Sequence, residues 1–183
     1  MRLQAYTDLF QGLAARHRAI QYTPANERFL TITVSADPIA RQLDLNDFYT
    51  KLRSKLQAPK GQPFFVLQNY QLDYADNGGD HFTRQAHGAF YVLQATLLYN
   101  APARAAAVDA CEGVAEELLA AAIHQLQADY RVRISLNDCF AEHIGPLADH
   151  YVGVRMNFSW SETATRELTY DPTKFLSSWP VNA

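Results

Sequence analysis

An unbroken helical period runs from Ala103 to Tyr130, and segments that alternate with period two stand on both sides of it. Within it Val108, Cys111, Val114, Leu118, Leu119, Ile123 and Leu126 recur at three- and four-residue steps, while Glu112, Glu116, Glu117 and Gln125 form a wet face. A stripe of that width has to be buried against something broad, such as a sheet. The flanking sequence supplies one. Phe64–Tyr74 and Gly88–Tyr99 precede the helix and Tyr151–Trp160 follows it, so the order reads as a hairpin, a covering helix and a returning strand.

In the first hairpin segment Phe64, Val66, Tyr70, Leu72 and Tyr74 share a face, broken by Gln68. In the second, Ala89, Tyr91, Leu93, Ala95, Leu97 and Tyr99 do so. The opposite faces carry Phe65, Leu67, Phe90, Val92 and Leu98. Strands apolar on both sides are either central or covered by a partner. Asp76-Asn77-Gly78-Gly79-Asp80 between them is a turn signal. In the last segment Val152, Val154, Met156, Phe158 and Trp160 oppose Tyr151, Gly153, Arg155, Asn157 and Ser159. Earlier in the chain a helix is expected over Tyr6–Arg18, with Leu9, Phe10, Leu13 and Ile20 apolar, then a strand over Arg28–Val34. Asp37-Pro38 interrupts. A second short helix is expected from Asp47 to Leu56, capped by Asn46, with Phe48, Leu52 and Leu56 in one stripe. Ile134–His143 fits a short strand or an irregular segment, and Gly145-Pro146 a turn.

These elements make an α+β class: an antiparallel or mixed sheet of about four to five strands including a long hairpin, packed by one long helix plus two shorter helices. A length of 183 residues fits one such domain over 1–160, with 161–183 as a C-terminal aromatic arm. Charged residues are 19% and the net charge is −3, so no overall field draws the chain to nucleic acid or an anionic membrane. Sequence-specific nucleic-acid binding and membrane association are not expected. Two cysteines, Cys111 on the buried stripe and Cys139, do not form a disulfide framework and suit a reducing compartment. The first residues lack a signal-peptide core, which fits assembly in a cytoplasm.

Catalytic signatures are absent. There is no Gly-x-Ser-x-Gly elbow, and the eight glycines form no phosphate-cradling loop. The acidic turn Asp76, Asn77, Asp80 lacks the glutamate and register of a calcium loop. His81 and His87 on one side, and His143, Asp149 and His150 on the other, would approach if their strands paired, but their spacing matches no zinc motif. Neither catalytic residues, metal ligands nor a cofactor are therefore assigned. The basic run Lys51, Arg53, Lys55, Lys60 reads as a solvated helix face. The tail sets Tyr170, Phe175 and Trp179 among Pro172 and Pro180; these rings either fold back on the sheet or dock on a neighbour.

The hairpin Phe64–Tyr99, helix Ala103–Tyr130 and strand Tyr151–Trp160, after a leading helix, strand and small helix, resemble the tail terminator and head–tail joining (neck) proteins of tailed bacteriophages. The likeness is one of element order over the middle two thirds of the chain. It implies a non-enzymatic structural subunit of the virion that forms a homo-oligomeric ring, commonly a hexamer, at the tail end or neck. Its partners would be copies of itself, the tail tube protein and a head–tail connector or adaptor. Expected interface residues are Phe65, Leu67, Phe90, Val92, Tyr170, Phe175 and Trp179. The alternatives are a metal-dependent enzyme with a dispersed His/Asp site, or a small-ligand or adaptor module.

Overall fold

The structure is a computed structural model and describes residues 1–35, 37–55, 61–97, 99–129, 132–147 and 150–175. It is α+β, with a mixed six-stranded sheet among the described residues. Strands β1 (Phe29–Ile32), β2 (Pro63–Asp76), β3 (Phe82–Ala95), β4 (Arg133–Ile134), β5 (Phe140–Leu147) and β6 (Tyr151–Thr163) lie in the order β1-β2-β3-β6, and β4 and β5 both pair with β6. Only β1 and β2 run parallel. The helices are α1 (Leu3–Arg16), α2 (Pro38–Lys55), α3 (Ala101–Asp129) and α4 (Thr165–Leu168).

The hairpin is longer at its tip than the alternation predicts, and shorter at its base. β3 begins at Phe82 and stops at Ala95, leaving Leu97 and Tyr99 exposed beyond it. A bulge between Gln68 and Gln71 breaks the predicted alternation in β2. Below it Phe65 and Leu67 face the larger core; beyond it Tyr70 and Leu72 face that same core, while Phe64 and Val66 face the smaller one. One extra residue thus switches the face of everything distal to it. The interrupted ladder is satisfied by side chains: the buried Tyr6 hydroxyl donates to the Gln68 carbonyl at 3.1 Å, and Val34 N donates to Asn69 Oδ1 at 2.8 Å. Burial, then the neighbouring Tyr70, pushes the Tyr6 hydroxyl well above its ordinary range, so it stays a donor.

On one face α1 and α3 cover the sheet. Tyr6, Phe10, Phe65, Phe90, Phe158 and Trp160 pack there with Cys111 and Leu118. α3 meets the sheet on Ala107, Cys111, Ala115, Ala122 and Leu126; Val108, Val114 and Ile123, predicted to be central, flank this seam. Small side chains let the helix lie close to strands that carry large rings. Asn100 Oδ1 accepts from Ala103 N at 3.0 Å and caps the helix. Two glycines are needed for close approach. A Cβ at Gly88 would meet the Phe158 ring at 2.8 Å, and one at Gly153 would meet the Val92 carbonyl at 2.0 Å.

The other face is half covered, by α2. Phe48 and Leu52 pack on Leu30, Ile32, Phe64, Val66, Leu93 and Tyr151. α2 begins nine residues before the predicted start. Asp37 Oδ1 accepts from Ile39 N and Ala40 N at 3.0 and 2.9 Å, so Asp37-Pro38 starts the helix where a break was expected. The segment 134–143 resolves into the two-residue β4, a 3-10 turn at Leu136–Asp138 and β5, which carries Gly145-Pro146 within it. β6 passes the predicted boundary at 160: Ala164 N donates to Phe82 O at 2.8 Å and Phe82 N to Thr165 Oγ1 at 2.9 Å, tying the arm's first residues to the hairpin. Leu56, Lys60, Leu98, Tyr130, Asp149 and Trp179 lie outside the described residues.

Candidate functional site

Alternation along β3 and β6 places His87, Ala89 and Tyr91 of one strand, and Arg155, Asn157 and Ser159 of the other, on the face that carries α2. α2 reaches only the half nearest β1. Beyond Tyr91 that face is polar and open, and a hollow of about 210 Å³ lies on it, lined by Gln68, Gln71, His87, Arg155, Asn157 and Ser159 together with Asp138 and Phe140. The fold brings these polar side chains together from distant parts of the sequence.

At one end His87 sits between two partners. Its Nδ1 lies 2.9 Å from Ser159 Oγ, on the residue paired with it across the ladder, and its Nε2 lies 3.1 Å from Asp73 Oδ2 on β2. A neutral His87 donating Nε2–H to the carboxylate offers Nδ1 to the serine hydroxyl. Ser159 is buried, His87 is 42% exposed at its side chain and Asp73 is 79% exposed. The relay is therefore screened at its acidic end.

At the other end Arg155 is the hub. Its Nη1 donates to Glu142 Oε2 at 3.0 Å, its Nη2 to Gln68 Oε1 at 3.5 Å, and its guanidinium lies 5.8 Å from the centre of the Tyr91 ring. Tyr91 donates to Gln68 Oε1 at 3.1 Å, and Asn157 Nδ2 to Glu142 Oε2 at 3.1 Å. Burial raises the Tyr91 pKa, against the opposing pull of Arg155, so the hydroxyl remains a donor. Arg155 Nε is buried with no acceptor, a donor left over in an otherwise paired network.

The expected sites fare differently. Phe65, Leu67, Phe90 and Val92 are core residues, 0–1% exposed, because α1 and α3 of the same chain cover their face. They present nothing to a partner. Tyr170 and Phe175 are exposed, their rings 5.3 Å apart around a 3-10 turn at Pro172–Lys174. The histidines do not converge: His87 pairs with Asp73, His143 with Glu112 of α3 at 3.0 Å, and His150 lies against Tyr151. Among the described residues no group of three or more His, Cys, Asp or Glu side chains could hold a metal ion. Burial pushes the Cys111 thiol up to about 12, which makes it an inert core side chain. The polar half-face has a signal in sequence, the run Arg155, Asn157, Ser159 opposite an apolar set, but His87 joins it only through the β3–β6 register and Asp73 only through the bulge in the hairpin.

The fold and site define a class no finer than an α+β domain with one covered and one half-covered sheet face. No protein-family model matches the sequence, and no curated protein aligns with it. No helix is long and apolar enough to cross a membrane among the described residues.

Proposed function

We propose that the chain is a non-enzymatic subunit that assembles with copies of itself, of the tail-terminator or neck type, at the end of a phage tail or tail-like particle. Its contacts there would be the tail tube protein and a head–tail connector or adaptor. The observation that supports assembly is the presence, among the described residues, of two different sheet edges with no strand on their outer side, β1 and β5, each followed or preceded in the chain by exposed apolar side chains. After β1, α2 carries Ile39 and Leu43 76% and 66% exposed, one helical turn apart. Next to β5, Leu136 and Phe140 are 69% and 56% exposed. A closed ring needs two unlike patches on each subunit, and buried hairpin side chains are not required for it. Native mass measurement and electron microscopy test this: defined multimers or rings are expected. A monomer at high concentration that binds neither tube nor connector proteins sinks the proposal.

A second reading has one observation in its favour, the Asp73–His87–Ser159 relay beside its hollow. Ser159 Oγ would attack the carbonyl carbon of a small activated ester as its proton passes to His87 Nδ1; the ester C–O bond breaks, the alcohol leaves with that proton, and water activated by His87 hydrolyses the acyl-serine to the free acid and Ser159. Two features weigh against it. The imidazole nitrogens are exchanged relative to the usual triad, and the Asn157 amide, a natural oxyanion donor, is already engaged by Glu142. Ester turnover that disappears in Ser159→Ala would establish this chemistry; wild-type protein no faster than buffer removes it.

A further inference from the structure

β1 is four residues long and forms one margin of the sheet, paired with β2 alone. Phe65 N donates to the Arg28 carbonyl at 2.9 Å, so in this parallel pair the amides of Leu30 and Ile32 address β2, while that of Arg28 donates to the Asn26 carbonyl at 2.8 Å. Those of Phe29, Thr31 and Thr33 point the other way. No strand occupies that side among the described residues. Along it lie two hollows of about 470 and 120 Å³ that share Thr7 and Thr31 as walls, bounded by α1 at Thr7 and Gln11 and by Lys51 of α2. Outward amides with a trough beside them form an acceptor for one more extended strand.

The opposite margin offers a strand of matching size. β5 pairs with β6 along Phe140–Ile144 before its register shifts, five residues against the five of Phe29 to Thr33. Six of its eight residues are exposed, Ile144 and Leu147 being half-buried, and no strand pairs with its outer edge among the described residues. The faces also agree. Glu142 sits opposite Arg155, on the face that carries α2, and Ala141 opposite Met156, on the face that carries α1 and α3. In a continuous sheet Glu142 would join the side from which Lys51 reaches the β1 trough, and the small Ala141 would enter on the α1 side. Both charges now hold partners within their own chain, Glu142 with Arg155 and Lys51 with Asp47 at an exposed pair, so their attraction orients the strand more than it binds it.

Resting on the reading of this chain as a self-assembling subunit, we infer that β5 of one copy adds to the outer edge of β1 in the next, head to tail, making one sheet run through the assembly. The joint is heterologous, so it closes into a ring when the rotation per copy permits.

Two variants test it in the full chain. Thr31→Pro removes an outward N–H while leaving every β1–β2 bond in place, and proline is tolerated at a sheet margin. The native mass is expected to fall to that of one chain at a concentration where the wild type is multimeric. The pair Thr31→Cys and Ala141→Cys, in a Cys139→Ser background, is expected to form disulfides between copies under mild oxidation, since facing side chains on adjacent strands lie within reach. Wild-type multimers that persist in Thr31→Pro, with no cross-linking of the cysteine pair, overturn the edge joint while leaving self-assembly intact. A wild type that is monomeric at every concentration overturns both.

Discussion

Phe90→Ala is expected to lower the free energy of unfolding by about 3–5 kcal/mol, the usual cost of deleting a fully enclosed ring. Phe90 is 0% exposed in the central strand β3, and its ring lies 5.1 Å from Phe65, 5.8 Å from Phe10 and 5.9 Å from Phe158. Those neighbours come from β2, α1 and β6, so the cavity cannot close by moving one element alone. The loss combines transfer of the ring to water with the contacts its neighbours forfeit. Urea unfolding reads it as a lower midpoint with an unchanged slope. The measurement also separates two roles for the hairpin's apolar face. A ring used at an interface would cost a lone chain less than about 1 kcal/mol on truncation, as exposed positions do.

Glu162→Gln is expected to cost roughly 2–4 kcal/mol near neutral pH, below the full cost of breaking a sealed ion pair because its side chain keeps some exposure. Glu162 Oε2 accepts from Arg84 Nε at 3.1 Å and Nη2 at 2.5 Å and from the Met1 ammonium, while Oε1 accepts from Trp160 Nε1 at 2.6 Å. Arg84 is itself buried, so the amide would leave a charge without its counter-charge. Burial alone raises the Glu162 pKa; the hydrogen bonds from the ammonium, Arg84 and Trp160 outweigh it and hold the carboxyl below the usual carboxylate range. The unfolded chain therefore binds this proton first as the pH falls. The stabilisation is complete above the ordinary value of 4.5 and is lost as the pH falls through the lower, folded value. The gap in unfolding free energy between wild type and Glu162→Gln is expected to be widest near pH 7 and to shrink towards pH 3. A gap independent of pH would refute the ionised role of this carboxylate.

Much of the frame was legible in the chain. The period of α3, the hairpin turn at Asp76–Asp80 and the alternation of β6 are local patterns, and each stands where its residues predict within a few positions. The misses have local causes too. The Gln68/Gln71 bulge leaves no signature in hydrophobicity, because Tyr70 and Leu72 are as apolar as the residues they would replace on the other face. Asp37-Pro38 satisfies the rules for a break and for a helix start alike, and the side-chain cap decides between them. For the candidate site, Ser159 and Arg155 could be placed on one face from alternation alone, whereas Asp73 and His87 could not be joined to them. His87 meets Ser159 through the pairing of β3 with β6, and Asp73 meets His87 through a hairpin register shifted by the bulge.

The apolar sets themselves were a matter of sequence. Side-chain spacing determines which groups share a face of a strand or helix, since both periods are properties of a single segment of backbone. Whether a greasy face meets another part of its own chain or a different molecule is a question of long-range packing. Here the three-dimensional fold answered it for the hairpin: α1 and α3 of the same chain lie across Phe65, Leu67, Phe90 and Val92, and α2 stops halfway over the reverse side.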